Sequence, residues 1–308
     1  TEKKAMTAEN SANTDMNKVL KIIYVVLTFA MFLLPLVSMP FLSNASGAEK
    51  RALAEMPKLF DDGKINADFT GQFDTYFSEN FGLRTNMITA YSALAYQLTG
   101  DSVNDKVIAG KDGWLFYYET IDDYTGKNTL SDGDIKSLYK ILLMQKEFLE
   151  EKGITFVFIV APNKNSIYPE FMPERYVKNE SESSLEKLNK YLSQKDIAYV
   201  DLLENLTSGR SAEQLYHKKD THWNNYGAMQ ACNAIFKKVG ELIPEFTFNE
   251  YTGVSYIAER SWNGDLDTML FPAMNKKDMQ FRFDLEMKYK YKKPLRTFED
   301  IKIETELT

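Results

Sequence analysis

The stretch ITFVFIVAP, Ile154–Pro162, contains no charged residue and a single hydroxyl. A half-exposed strand would alternate apolar and polar residues. A continuous apolar run closed by proline predicts instead a central strand covered on both faces. On either side of it the periodicity becomes helical. Upstream, Ser131-Asp-Gly-Asp caps a helix in which Ile135, Leu138, Tyr139, Leu142 and Leu149 share one face. Downstream, a helix is expected from about Ser183 to Gln194, followed by a second buried strand in IAYVDLL (197–203), with Asp201 near its end. A further helix runs from Asn224 to about Leu242 and would bury Ala228, Cys232, Ile235 and Val239. Strands alternating with helices of this length predict an α/β domain, three layers built on a mainly parallel central sheet. In such sheets ligands bind beyond the carboxyl ends of the strands.

Farther from this centre, KVIAGKDGWLFYY (106–118) reads as two short strands around a Lys-Asp-Gly turn. Near the end, MQFRFDLEMKYKYKK (279–293) alternates, with Met279, Phe281, Phe283, Leu285, Met287, Tyr289 and Tyr291 on one face and polar residues on the other. The run is longer than an ordinary strand, so a bend or break is expected, and its basic end reads as a solvated face.

Toward the amino end, IIYVVLTFAMFLLPLVSMPFL (22–42) is 21 residues without a charge. As a helix it spans roughly 30 Å, the hydrocarbon thickness of a bilayer. Lys18 and Lys21, with Lys3 and Lys4 upstream, favour a cytoplasmic amino side and an exported remainder. Residues 1–21 are read as a cytoplasmic tail and Ile22–Leu42 as a single-pass membrane anchor. The small residues Ser43–Ala48 keep a cleaved signal peptide, and hence secretion, as the alternative. Residues 43–105 are read as a helical stalk, with Phe69, Phe73, Tyr76 and Phe77 on one helix and Ile88, Tyr91, Leu94 and Ala95 on the next. Residues 106–308 form the main domain.

The 308 residues are 44% hydrophobic, enough for one large core. A formal net charge of −7 leaves no domain-wide basic face for nucleic acid. The single cysteine, Cys232, excludes an internal disulfide and a multi-thiolate metal site. The sequence begins at Thr1 and stops just after the strand-like DIKIETELT; both ends read as cut.

Both histidines fall in YHKKDTHWNNYG (216–227), directly before a helix. Asp220 and His222 stand two apart, so on extended backbone their side chains share a face and the carboxylate can orient the imidazole. The following helix N-terminus disfavours an already protonated ring, which suits a base. Alone, Asp-x-His is a weak signal. A partner nucleophile is missing from the expected patterns: there is neither Gly-Asp-Ser nor Gly-x-Ser-x-Gly, and Leu266 follows Gly264-Asp265. Ser166, just past the central strand, is a weak candidate. His217, Asp220 and His222 as metal ligands would make a metallohydrolase the alternative, but no second cluster completes three or four ligands, so no metal or cofactor is expected.

Four segments in order, ENFGLR (Glu79–Arg84), VIAGKDGWLFY (Val107–Tyr117), FVFIVAPNKNSIYPE (Phe156–Glu170) and YHKKDTHWNNYGA (Tyr216–Ala228), carry a more specific signal. Together they resemble the alginate O-acetyltransferase group of SGNH-hydrolase-like proteins, particularly its DHHW-motif relatives, from about residue 49 to the end. Thr221 stands where the motif has its first histidine. The resemblance implies an SGNH-like fold in which Asp220 orients His222, the general base for a serine. That serine belongs to a Gly-Asp-Ser segment after the last strands, so a C-terminal part is expected to be missing. It also implies extracytoplasmic transfer of acetyl groups to hydroxyls of a cell-surface or secreted polysaccharide, with a membrane-embedded acyltransferase supplying the acetyl. Asn163, Lys164 and Trp223 are the candidate substrate-binding residues, against a polar turn for the first two and a packing role for the tryptophan. The competing reading is a catalytically silent polysaccharide-binding or assembly protein of the same fold.

Overall fold

The computed structural model describes residues 2–39, 53–61, 63–178, 180–248, 250–274, 276–284, 289–291 and 303–305. The chain divides into two compact units, 1–105 with 267–275, and 106–266 with 276–308.

In the first unit, α1 (Glu2–Ser38) contains one stretch, Asn17–Ser38, long and apolar enough to cross a membrane. Its large apolar side chains from Val19 to Val37 are exposed, the surface that lipid rather than protein would cover. Residues 40–42 of the expected span and the Ser43–Ala48 segment lie outside the described residues. A short hairpin, β1 (Phe60–Asp61) with β2 (Lys64–Ile65), precedes α2 (Phe69–Asn80) and α3 (Arg84–Thr99). The α2 aromatics do form a stacked row, Phe69 on Phe73 and Phe73 on Phe77, yet no residue of α2 is buried. On α3 the buried positions are Thr89 and Ser92, whereas Tyr91 is 65% exposed. The apolar stripe read from the sequence is therefore not this helix's buried face. The reason is polar: Thr89 Oγ1 accepts the Ala273 N–H at 2.8 Å, so a small hydroxyl side is turned toward the 267–275 backbone.

In the second unit, β3 (Val107–Ala109) and β4 (Leu115–Tyr117) pair antiparallel across the expected Lys111–Gly113 turn. Asp112 (φ 52°) and Gly113 (φ 76°) turn the chain there, a conformation that Asp tolerates and Gly adopts freely. After the single-turn α4 (Ile121–Tyr124) comes α5 (Asp132–Glu150), opened by a capping box in which Ser131 and Asp134 satisfy each other's backbone N–H. Then follow β5 (Phe158–Ile159), α6 (Lys164–Ile167), α7 (Ser184–Leu192, with a second capping box, Ser183 and Glu186), β6 (Tyr199–Val200), α8 (Leu202–Gly209) and α9 (Asn225–Leu242). The remaining elements of this unit are β7 (Tyr256–Trp262), β8 (Asp278–Phe283), β9 (Tyr289–Tyr291) and β10 (Ile303–Thr305), while α10 (Asp265–Leu270) starts here and runs into the 267–275 stretch of the first unit.

The apolar run at 154–162 is less covered than its composition predicts. Phe156, Phe158 and Val160 pack into a cluster with Ile135 and Leu142 of α5 and Leu188 and Leu192 of α7. Ile159, on the other side, remains 41% exposed. Pairing with β6 is parallel, Phe158 to Tyr199 and Ile159 to Val200, but it is the one parallel ladder among the described residues. The other pairs are antiparallel, so the expected mainly parallel central sheet is not what the described strands form. Continuous apolarity alone does not separate a strand buried on two faces from one buried on a single face.

Three local readings change for stated reasons. The second strand stops at Val200 because Asp201 accepts the Glu204 N–H at 3.0 Å and caps α8, drawing Leu202 and Leu203 into helix. On α9 the fully buried positions are Gly227 and Ala231, with the expected Ala228, Cys232, Ile235 and Val239 only half-buried. A Cβ at Gly227 would overlap the Leu215 carbonyl, so the smallest residue turns inward. On β8, Gln280 is buried rather than solvated, its Oε1 accepting the Asn225 and Phe281 N–H groups at 2.9 Å each. β8 ends at Phe283, and Leu285 and Met287 of the long alternating run lie outside the described residues.

Candidate active site

Residues 215–224 fold back on themselves. Tyr216 and Trp223 form an antiparallel bridge, and the Asn224 N–H donates to the Leu215 carbonyl at 2.8 Å. Asn224 then caps α9 through its side chain, accepting the Gly227 N–H. Between these ties the loop forms no ladder, and apart from the Lys218 carbonyl, which accepts the Leu115 N–H at 2.8 Å, its inward carbonyls need another donor. Lys164 supplies it: its Nζ donates to the carbonyls of His217 (3.1 Å), Lys218 (3.1 Å) and Asp220 (2.6 Å). The side chain is 5% exposed and lies over the rings of Phe116 and Trp114. Burial pushes its ammonium down to about 7, against the opposing pull of Asp220, Asp278 and Asp265. Lys164, read from the sequence as a substrate contact, is instead a buried clamp on the loop.

The clamped loop presents Asp220 and His222. Asp220 is buried and accepts four hydrogen bonds. Its Oδ1 takes the backbone N–H of His222 at 2.9 Å and lies 2.7 Å from the ring Nδ1. Its Oδ2 takes the Trp262 indole N–H at 2.9 Å and the Asp265 backbone N–H at 3.0 Å. Burial pushes this carboxyl up, but the donors from His222, Trp262 and Asp265 outweigh it and hold the group below its ordinary value. An ionised carboxylate can only accept, so Nδ1 carries the proton in the neutral ring and Nε2 is left with its lone pair. The His222 side chain is 72% exposed, so that lone pair is open to a ligand.

Trp262 and Asp265 are the site residues that sequence reasoning missed. Asp265 also holds Thr221, accepting its N–H at 2.8 Å and its hydroxyl at 2.6 Å. The signal in the sequence is Gly264-Asp265, which without a following serine does not read as a nucleophile segment. Gly264 is required on its own account, since a Cβ there would overlap the Lys219 carbonyl. Gly264→Ala is expected to destabilise the fold by about 1–3 kcal/mol, the usual cost of overpacking, and to shift the His222 ring resonance, checked by urea unfolding and histidine NMR.

His217 does not join this group. It is fully buried, its ring stacks on Trp262 with centroids 4.9 Å apart and planes 5° apart, and its Nδ1 lies 2.8 Å from the Met279 carbonyl. Burial pushes its pKa down, and the neutral ring braces the face of Trp262. Among the described residues, the ligand-type atoms that converge are those of Asp220, His222 and Asp265, within 4.8 Å of one another. The lone pairs of both carboxylates already accept N–H or O–H donors, so this donor set does not fit a metal without dismantling the loop. Ser166 is half-buried on α6 and lines a cavity of about 140 Å³ with Tyr124 and Thr207. Asn163 is half-buried at the start of α6, its carbonyl accepting the Ser166 N–H. Neither bonds to the Asp220–His222 pair. The Trp223 ring packs on Tyr216, with centroids 6.5 Å apart, against the core cluster of Trp114, Ile167 and Leu215.

The second unit thus defines an α/β domain in which a saturated, buried carboxylate steers an open imidazole. Residues 107–296 match the SGNH hydrolase-like domain family of the acetyltransferase AlgX, and the chain belongs to that family. A curated relative, the "Probable alginate O-acetylase AlgJ" of Pseudomonas syringae pv. tomato, is 23% identical over 208 residues, covering 67% of this chain and 51% of the relative. The chain spans about half the length of the curated relatives it matches. Among solved structures, the O-acetyltransferase domain of Pseudomonas putida AlgJ aligns with TM-score 0.40 at 19% identity, covering 57% of this chain and 63% of that one. Bacillus cereus PatB1 with a sulfonyl adduct aligns with TM-score 0.41 at 18% identity, covering 58% of this chain and 55% of that one.

Proposed function

We propose that the protein is an O-acetyltransferase acting on hydroxyls of a cell-surface or secreted polysaccharide, with Asp220 and His222 as its acid–base pair. The observation that carries this is the 2.7 Å contact between the Asp220 carboxylate and Nδ1 of an otherwise open His222. Membership of the acetyltransferase family supports it. The described residues place no serine in hydrogen-bond contact with Nε2, so the reading requires a serine hydroxyl to be brought there. Nε2 removes that proton as the oxygen attacks an acetyl carbonyl, and the imidazolium, stabilised by Asp220, returns the proton to the departing donor group. In the second half the same nitrogen deprotonates a sugar hydroxyl, which attacks the acetyl-serine; acetyl moves to the sugar and the proton returns to serine. In this reading α1 anchors the protein with its catalytic unit outside the cytoplasmic membrane, and a membrane-embedded acyltransferase supplies the acetyl group.

His222→Ala tests it. In a preparation that turns over p-nitrophenyl acetate, the variant is expected to lose about 10³-fold in acetyl transfer, within the usual span of a general base. Its stability is expected to fall by about 1–2 kcal/mol while the fold persists, because the buried Asp220 Oδ1 keeps the His222 backbone N–H but loses the ring donor. Unchanged turnover would remove the pair from the chemistry and leave a silent binding protein as the better account.

A further inference from the structure

A groove of about 500 Å³ lies along α9, walled on one side by residues 250–256 and floored by Asn205 of α8. The α9 residues lining it include Tyr226, Gln230, Asn233 and Lys237, spaced by four, three and four, so they form one stripe along the helix. Eleven helical steps from Tyr226 to Lys237 make that stripe about 16 Å long, room for roughly three hexose units end to end. Its composition is not that of a core-facing stripe. A tyrosine is followed by two amides, and a cation, Lys237, shares the lining with the carboxylate of Glu250.

Two features suit the groove to a ligand rather than to the protein's own packing. Tyr256 is held rigidly on its wall: its hydroxyl donates to Glu213 Oε1 at 2.7 Å, and its ring meets Tyr226 edge-on at 5.6 Å. The residue is nevertheless 37% exposed and lines the groove, its ring packed also against Phe281 and Phe283. Beside it, Gln230 lines the groove from α9 with a side-chain amide that can both donate and accept. Preset aromatic faces for the C–H side of a sugar ring, and amides that both donate and accept for its hydroxyls, are the chemistry that holds a carbohydrate.

We propose that this groove is a binding site for a linear oligosaccharide segment, lying along α9 with one end toward the helix start that follows His222. The inference rests on the polysaccharide reading above and adds where the chain lies. Neutral and carboxylated sugars share the hydroxyl pattern recognised here. Lys237 would favour a uronate and Glu250 would oppose it.

Titration of the full chain with cellotetraose and, separately, with a mannuronate tetramer, followed by calorimetry and backbone NMR, tests the site. At least one tetrasaccharide is expected to bind and to shift resonances of residues 226–237. Tyr256→Ala and Gln230→Ala are each expected to weaken that binding about tenfold, a loss of about 1.4 kcal/mol. Tyr256→Phe, which keeps the ring, is expected to retain most of it. Gln230→Ala covers the case in which Tyr256→Ala fails to fold. Binding of neither sugar, or binding untouched by both alanine variants, overturns the groove. His222→Ala is expected to bind sugar normally. Loss of transfer in that variant with groove variants binding normally would remove the groove and leave the transferase reading; groove binding without any transfer would do the reverse.

Discussion

Asp220→Asn is expected to cost about 10⁴-fold in acetyl transfer, the scale seen when an orienting carboxylate becomes an amide and the imidazole takes the wrong tautomer. It is also expected to lower stability by about 3–5 kcal/mol, as when one partner of a buried charged network is removed. The reason is a count of donors. Four N–H groups converge on the two carboxylate oxygens, from His222 twice, Trp262 and Asp265. An amide offers one oxygen, and its NH₂ must face either the His222 pair or the Trp262 and Asp265 pair, donor against donor. The pH dependence follows with its sign. The folded Asp220 is held below its ordinary value of 3.8, so its stabilisation is present above 3.8 and is lost as pH falls through the lowered folded value. Urea unfolding at pH 7 and in acid, beside p-nitrophenyl acetate turnover, checks both effects: wild type and variant should converge as the acid limit is approached. A variant that loses activity but keeps wild-type stability at pH 7 would mean that Asp220 does not hold the loop.

The contrast with His222 shows which parts of the site a sequence makes legible. Asp220 and His222 were readable because they are local: two residues apart, just before a helix whose cap, Asn224, is also local. The β3–β4 hairpin and the helix starts at Ser131 and Ser183 belong to the same category, since turns and capping boxes are written within a few residues. The partners that make the pair work are not local. Trp262 and Asp265 reach Asp220 across more than forty residues, and Lys164 reaches the same loop across more than fifty. No periodicity announces such contacts. The same limit explains the central strand, where apolar residues at consecutive positions could not say that Ile159 would lie open while Phe158 packs on α5 and α7. It explains Lys164 as well. A lysine after a strand is ordinarily a surface residue, and only the three loop carbonyls that its ammonium reaches make its burial tolerable.

That burial carries the second large effect. The Lys164 ammonium falls from 10.5 in the unfolded chain to about 7 in the fold, a difference equivalent to about 5 kcal/mol of cost to folding wherever both states are protonated. Between about 7 and 10.5 the unfolded chain binds a proton that the folded chain lacks, so stability rises with pH across that window. Below about 7 the full cost is present; above 10.5 it is gone. Lys164→Met is therefore expected to abolish a rise of up to about 1.4 kcal/mol per pH unit, read as the difference between wild-type and variant urea midpoints from pH 6 to 10. The variant should not simply gain what the wild type gives up at low pH, because the carbonyls of His217 and Asp220 lose the Lys164 donor, at about 1–3 kcal/mol for each buried group left unpaired, while the Lys218 carbonyl keeps the Leu115 N–H. Loosening of those carbonyls should appear in the His222 ring, whose Nδ1-protonated tautomer depends on Asp220 staying in place. With only two histidines in the chain, nitrogen-15 histidine spectra can separate that ring from buried His217. Equal pH slopes in wild type and variant would mean that Lys164 keeps an ordinary proton affinity. An unaltered His222 tautomer in Lys164→Met would mean that the clamp fixes the backbone without reaching the acid–base pair. A depressed slope together with a mixed tautomer ties the charge at 164 to the geometry at 220 and 222.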